Sequence, residues 1–502
     1  MGMRQPARPG RPDGGAAIAL AVLVAIAFAL RLIPILLHPS LNWGDEVFQA
    51  TEQAHRLVYG YGLEPWEFQV RMRSWLLPGF IAGLMQAARM LAPGPAVYLP
   101  VIACAFGCLA AAPMVCAFLW CRRQLGDWPA VLAALVAGTA PELIYFGDRT
   151  LAEVVAGHVL IVGMYVLLPG DPVRWWRRLT IGGALLGLTL ALRIQLLPVV
   201  GVLIAVTAIG PRQWWRLAAV GGGFVGVMLA TGLFDAVTLG APFASVTRYI
   251  YYNIVLGAST SFGVEPWYYY PLAELAIWGP ALLVPLALCG AGTRVSLLPG
   301  ICALIVIATH MVIGHKEQRF IYPALALLGV QAGFGLAVVA QWVTARLRQD
   351  WASAAGPPAV AGIVASLVWC VIAAQVWGGP AMGVLRARVH DNLAAADYVA
   401  TLPGVCGIAL TGAGTASWAA YGGYTHLHQR VNLYWPDGKT DLTQSATGFN
   451  VMLLERPAAA PAGFSQDRCF GNICVWRREG ACADVPASRL PFPTIAKGSA
   501  SF

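Results

Sequence analysis

Apolar runs of membrane-spanning length recur through the first 380 residues, and nothing else in the chain constrains its fold as strongly. A bilayer core about 30 Å thick is crossed by about 20 helical residues. Inside it every backbone polar group must find its partner within the protein. Runs near 16–37, 96–120, 128–145, 151–168, 179–192, 195–209, 215–234, 271–290, 296–313, 320–341 and 357–378 meet or approach that length. The predicted fold is therefore an all-α polytopic membrane protein with about eleven transmembrane helices. Composition agrees: 58% of residues are hydrophobic and 11% are charged, far from an ordinary soluble domain. The net charge of +9 sits mostly on arginines in short loops. There it sets orientation, and it is not a nucleic-acid signature.

The stretch 75–92 is apolar too, but Pro78, Gln86 and Arg89 interrupt it. Counting it as a span would put the N-terminal arginines opposite all later basic loops. Leaving it on the surface gathers Arg4, Arg8, Arg11, Arg122, Arg123, Arg174, Arg177, Arg178, Arg212, Arg216, Arg294, Arg346 and Arg348 on one side. The positive-inside rule favours the second count, so 75–92 is expected to be interfacial or re-entrant. The first run is too long for a secretory signal core and lacks a cleavage site, so it is expected to be retained. Residues 1–15 then form a cytoplasmic tail, 16–380 the membrane domain, and 381–502 an extracytoplasmic domain.

This orientation places the unusual polar residues on the non-cytoplasmic face, in loops 38–95 and 235–270 and around 147–150, 193 and 315–319. Nucleotide-activated substrates do not reach that face, so an activated donor there is most simply carried on a lipid. The segment His315, Lys316, Glu317, Gln318, Arg319 and Phe320 stands between two apolar runs, and Lys316 is one of only three lysines. Ionisable groups at the bilayer are costly and are usually retained for function; snorkelling anchorage is the structural alternative.

In the first outer loop Asp45, Gln49, Glu52 and Arg56 recur at helical spacing and are expected on one face. Tyr59, Tyr61, Trp66 and Glu67 come next. Aromatic rings and carboxylates together suit a carbohydrate, although acidic residues in a first helical turn also suit the helix dipole. Residues 385–490 are predicted to form a small α+β domain with strands at 405–410, 450–454 and 473–477 and a helix at 392–402. Its four cysteines, Cys406, Cys469, Cys474 and Cys482, suit one or two disulfides among three pairings.

The sequence Gly44-Asp45-Glu46-Val47-Phe48-Gln49, with Glu52, His55, Trp66, Glu67 and Arg73, resembles the first luminal loop of the lipid-linked mannosyltransferases of N-glycan and GPI-anchor assembly. These form glycosyltransferase family 22 of the multi-spanning C superfamily. His315-Lys316-Glu317-Gln318-Arg319-Phe320-Ile321-Tyr322-Pro323 is similar to that family's HKExRFxxP motif. Arg149-Thr150, Asp235 to Pro242, Tyr252-Asn253, Pro266-Trp267 and Gly422 to His428 also match its pattern. Trp43-Gly44 stands where the family usually has His-Pro.

The resemblance implies a bundle fold with long non-cytoplasmic loops. It implies transfer of a sugar, usually mannose, from a polyprenyl-phosphate donor to a hydroxyl of a glycan or lipid-linked acceptor, with inversion. Asp45 is the expected base, with Glu46 the second choice. His315, Lys316, Arg319 and Arg193 are expected at the donor phosphate. Gln49, Trp66, Glu67, Arg149, Tyr252, Asn253, Trp267 and Glu317 are expected around the substrates. No metal or other cofactor is expected, since basic groups already supply positive charge. A polyprenyl-lipid or sugar transporter, or a related transferase using another sugar, is the competing reading. The Ala-, Gly- and Arg-rich composition points to a bacterial inner membrane with a periplasmic site.

Overall fold

The computed structural model describes residues 12–168, 174–209, 213–350, 357–411, 417–436, 442–457 and 461–490. Arg4, Arg8, Arg11, Arg212, Lys439 and Lys497 lie outside the described residues. The chain divides into two compact units: Met1–Ile33 with Ala105–Gly383, and Pro34–Cys104 with Val384–Phe502. The first outer loop thus belongs to the same unit as the C-terminal region.

Every one of the eleven apolar runs is helical. Among the described residues six helices are long and apolar enough to cross a membrane: Gly14–Leu37, Pro95–Leu125, Gln213–Leu239, Tyr269–Gly292, Gln318–Leu347 and Val360–Trp377. A seventh is counted if Asp127–Thr139 and Pro141–Gly147 form one span bent by 59°. The bend falls where Pro141 drives Ala140 out of helical geometry, to φ −59° and ψ 131°. Ala152–Leu167, Ile194–Thr207 and Leu298–Val312 are apolar but shorter. Length and composition therefore support six or seven spans, where the sequence pattern predicts eleven.

Within the first unit, Gln318–Leu347 has 72% of its apolar window buried, whereas Gly14–Leu37 has 11%. The exposed Ile18, Val22, Ile26, Leu30 and Ile33 recur every three or four residues, the pattern of a lipid-facing stripe. Trp176, Trp214 and Trp215 are also exposed beside arginines, as expected of an interfacial belt. Helices Trp175–Leu192 and Gln213–Leu239 meet through glycine. A Cβ on Gly183 would lie 1.9 Å from the Val220 carbonyl, and one on Gly223 would lie 1.9 Å from the Thr180 carbonyl. Small residues permit this backbone approach, which drives helix association where no hydrophobic effect operates.

In the second unit, Leu76–Arg89 is a 14-residue helix, too short to cross a bilayer. It buries Leu77, Ile81, Met85 and Ala88 along one stripe. The C-terminal region carries a five-stranded sheet: β1 (Gly407–Leu410), β2 (Asn432–Tyr434), β3 (Val451–Glu455), β4 (Ser465–Phe470) and β5 (Ile473–Arg477). Their order is β2-β1-β3-β5-β4, with β1 parallel to β2 and β3, and β5 antiparallel to β3 and β4. β1, β3 and β5 fall in the predicted segments. β2 is only three residues long and β4 is exposed and polar, so neither carries a hydrophobic signal. His390–Val399 is helical, close to the predicted span. The disulfides are Cys406–Cys482 and Cys469–Cys474.

Candidate active site

The acidic loop of the second unit begins as expected and then departs from regular helix. Val47–Thr51 forms a π-helical turn before Glu52–Tyr59 continues as α-helix. A π turn holds one extra residue and rotates the helix beyond it, and such turns recur at functional sites. The expected single face of Asp45, Gln49, Glu52 and Arg56 is therefore split. Gln49 Nε2 donates to Glu67 Oε1 at 2.9 Å. Arg56 donates to Gln53 Oε1 at 2.7 Å and to Glu64 Oε2 at 2.9 Å.

Asp45 is half-buried. Glu46 is 4% exposed, and its Oε1 lies 3.4 Å from the backbone nitrogens of both Asn42 and Trp43. That carboxylate turns back onto its own segment. Glu67 is buried beside Asp45: burial pushes its carboxyl pKa up, Arg73 opposes this, and the Asp45 charge adds to it. Two nearby carboxylates in unlike environments are a familiar arrangement for dividing acid and base roles. Trp66 is buried and does not present an open face for stacking on a sugar.

Glu52 is the hub that joins this loop to the C-terminal region of the same unit. It is fully buried and accepts from Leu63 N at 2.8 Å, Tyr424 N at 3.2 Å, Thr425 N at 2.8 Å and Thr425 Oγ1 at 2.7 Å. Burial still raises its pKa against these four donors. His55 lies 3.0 Å from the Tyr61 carbonyl through Nδ1 and 3.1 Å from His428 Nδ1 through Nε2. The carbonyl can only accept, so His55 Nδ1 carries hydrogen and Nε2 accepts from His428. Burial holds His55 down at about 4. His426 Nδ1 lies 2.7 Å from Asp397 Oδ1. Both histidines of the 422–428 motif are thus engaged within the fold.

The basic segment belongs to the first unit, between helices Leu298–Val312 and Tyr322–Asp350. His315 Nε2 is 3.2 Å from Glu317 Oε1, and its Nδ1 is 3.1 Å from the Gly263 carbonyl. The Glu317 contact raises the His315 pKa. Burial alone would raise Glu317, but the His315 bond and Arg319 hold it at about 2.

Lys316 is 5% exposed. Its ammonium donates to the carbonyls of Glu265 at 2.8 Å, Gly314 at 3.4 Å, and Ile313. All three N–H donors are thereby engaged, and Lys316 fastens the 263–265 loop. Arg319 pairs with Glu317 through Nε and with Glu153 Oε1 at 2.9 Å. Arg193 approaches Glu153 Oε2 at 3.7 Å, and its Nε has no hydrogen-bond partner among the described residues. Both guanidinium groups face the Phe320 ring, at 5.2 and 4.8 Å for Arg193 and Arg319.

Glu153 is the residue that sequence reasoning missed. It stands in the first turn of a helix, where acidic residues are common for dipole reasons, and its spacing to Arg193 and Arg319 carries no signal. Arg193 and Arg319 face the carboxylates Glu153 and Glu317; Lys316, held by carbonyls, adds one positive charge beside them, and His315, when protonated, a second. Such a buried excess suits an anion.

The remaining expected residues are more dispersed. Arg149 folds back on Tyr145, donating to its carbonyl at 3.3 Å and covering its ring at 4.5 Å. Tyr252 and Asn253 lie in a second π-helical turn, Tyr251–Val255, where Asn253 Nδ2 donates to the Tyr249 carbonyl at 3.1 Å. Trp267 is 66% exposed. Among the described residues, no group of three or more His, Cys, Asp or Glu side chains is arranged to hold a metal ion.

The family model for the Alg9-like mannosyltransferases matches residues 22–395, and the chain belongs to that family. It is 28% identical over 318 residues to GPI mannosyltransferase 3 of Yarrowia lipolytica, covering 62% of this chain and 61% of that one. It is 25% identical over 333 residues to GPI alpha-1,2-mannosyltransferase 3 of Danio rerio, covering 62% and 59%. A shorter match of 88 residues, 38% identical, is to alpha-1,2-mannosyltransferase ALG9 of Saccharomyces cerevisiae. The chain thus spans about three fifths of the length of the first two relatives. Its fold is shared with ArnT from Cupriavidus metallidurans in complex with undecaprenyl phosphate. The TM-score is 0.59 at 13% identity, covering 92% of this chain and 98% of that one.

Proposed function

We propose that this multi-pass membrane protein is an inverting glycosyltransferase. It moves mannose from a polyprenyl-phosphate donor to a hydroxyl of a glycan or glycolipid acceptor on the non-cytoplasmic side. The observation that carries this reading is the buried excess of positive charge at 315–319 with Arg193, held within a family of mannosyltransferases. In the reaction the acceptor oxygen attacks the anomeric carbon and its proton passes to Asp45. The bond from that carbon to the phosphate oxygen breaks, and its electron pair leaves with the polyprenyl phosphate. The leaving group needs no proton. Arg193 and Arg319 offset its growing charge, a role that fixed donors perform well in a water-poor site. Lys316 holds the loop that frames them. The reaction is assigned no cofactor.

The relatives come from fungi and a vertebrate and lend no support to a bacterial inner membrane. We therefore propose the non-cytoplasmic face from the arginine distribution alone. The test is transfer of radiolabelled sugar by the purified chain in nanodiscs, comparing polyprenyl-phosphate mannose with other polyprenyl-phosphate sugars. Mannose is expected to be preferred; efficient transfer of another sugar with none of mannose would overturn the donor assignment.

A further inference from the structure

The first unit holds a carboxyl pair that the proposed reaction does not use. Glu142, in helix Pro141–Gly147, is 4% exposed. Its Oε2 accepts from Trp278 Nε1 at 2.8 Å and its Oε1 from Gln318 Nε2 at 3.0 Å. The Glu274 carboxyl is hydrogen-bonded to Glu142, and Glu274 Oε1 has no hydrogen-bond partner among the described residues. Both carboxyls line an apolar cavity of about 280 Å³, with Tyr270, Trp278, Leu286 and Ile321.

Two carboxylates in contact away from water cannot both ionise. The geometry says which one keeps the proton. Glu142 already accepts two N–H donors, so Glu274 carries the shared hydrogen and donates it to Glu142. Gln318 is buried and stands between Glu317 and Arg319, so the group that holds its amide also holds the backbone between the two charged residues.

We propose that Glu142 and Glu274 form a proton-sharing clamp that, through Gln318, positions Glu317 and Arg319 for the donor phosphate. Glu142 and Glu274 are positioning residues, and their role in donor use rests on the proposed function. The clamp makes unequal demands on its two halves. Glu142 must offer two acceptor oxygens, because Trp278 and Gln318 both donate to it. Glu274 donates to Glu142 and also accepts from the Gln318 side chain, and an amide, with one donor group and one acceptor oxygen, can keep both contacts.

The test uses the full chain in nanodiscs with polyprenyl-phosphate mannose, together with hydrogen–deuterium exchange of segment 314–321. Glu142→Gln turns one acceptor into a donor. It is expected to raise the donor KM about tenfold, the size of one buried hydrogen bond left unmade, with kcat within about twofold, and to speed exchange in the segment. Glu274→Gln is expected to match the native protein in both readouts, whereas Glu274→Leu behaves like Glu142→Gln. Native KM and exchange in Glu142→Gln overturn the clamp, as does a Glu274→Gln variant as impaired as Glu274→Leu. If the native chain transfers no sugar from this donor, the functional reading fails, and the exchange readout decides the clamp by itself.

Discussion

Removing Glu153 tests whether the two buried arginines are held ready for an anion. At separations of 2.9 and 3.7 Å to Arg319 and Arg193, an effective dielectric of about 20 gives attractions of about 6 and 4 kcal/mol before desolvation is counted. Desolvation takes back much of this. Breaking such a pair from one side nevertheless costs about 3–5 kcal/mol, because a buried charge is left uncompensated. Glu153→Gln keeps the shape and one acceptor, so the lower figure, about 3 kcal/mol, applies. Arg319 keeps Glu317 and Arg193 is left bare. The assay is thermal unfolding in nanodiscs with and without a polyprenyl monophosphate. Without lipid the variant is expected to melt about 5 °C or more below the native protein. With lipid the gap is expected to narrow, because the phosphate supplies the missing negative charge. Equal melting of the two proteins without lipid, or equal stabilisation of both by it, would refute the assignment of Arg193 and Arg319 to an anion site.

The His55–His428 pair carries a pH signature. His55 is held at about 4 against an ordinary 6.5, so the unfolded chain binds the proton more readily. Its contribution is complete above pH 6.5 and falls away between pH 6.5 and 4, by at most about 1.4 kcal/mol per pH unit. His55→Phe is expected to flatten the stability profile across that window, as read by exchange protection of residues 52–62; an unchanged slope would count against the pair. Cys406 and Cys482 are 76 residues apart, and Cys406→Ser with Cys482→Ser is expected to cost the C-terminal region about 4 kcal/mol. Peptide mapping without reductant should find both disulfides. Transfer is expected to survive dialysis against EDTA, since basic side chains are assigned the work a metal would do; restoration by a divalent ion after loss would contradict this.

The helical character of each apolar run was legible from hydrophobicity alone, because a backbone in lipid has few other choices. Span number was less so. The proline-driven bend at Ala140 interrupts one apolar run, and the helices Ala152–Leu167, Ile194–Thr207 and Leu298–Val312 are shorter than a full span. In the acidic loop, regular helical spacing put Glu52 beside Asp45. The π-helical turn at Val47–Thr51 instead sends Glu52 into the interior, and no local sequence signal marks such a turn. The basic segment was conspicuous, but its internal division of labour was not. Lys316 is consumed by carbonyls, Arg319 and Arg193 share a carboxylate, and Gln318 is held by Glu142. The partners from other segments lie 40 to 176 positions away, beyond the reach of any local pattern.

The proposed mechanism gives Asp45 the acceptor proton and the basic segment the donor phosphate. Its most direct measurement is transfer of radiolabelled mannose from polyprenyl-phosphate mannose by Asp45→Asn, alongside binding of the same donor. Transfer is expected to fall by at least about a hundredfold, as for loss of a general base, with donor binding unchanged. Native transfer rates in Asp45→Asn, or lost donor binding with chemistry intact once donor is saturating, would contradict it.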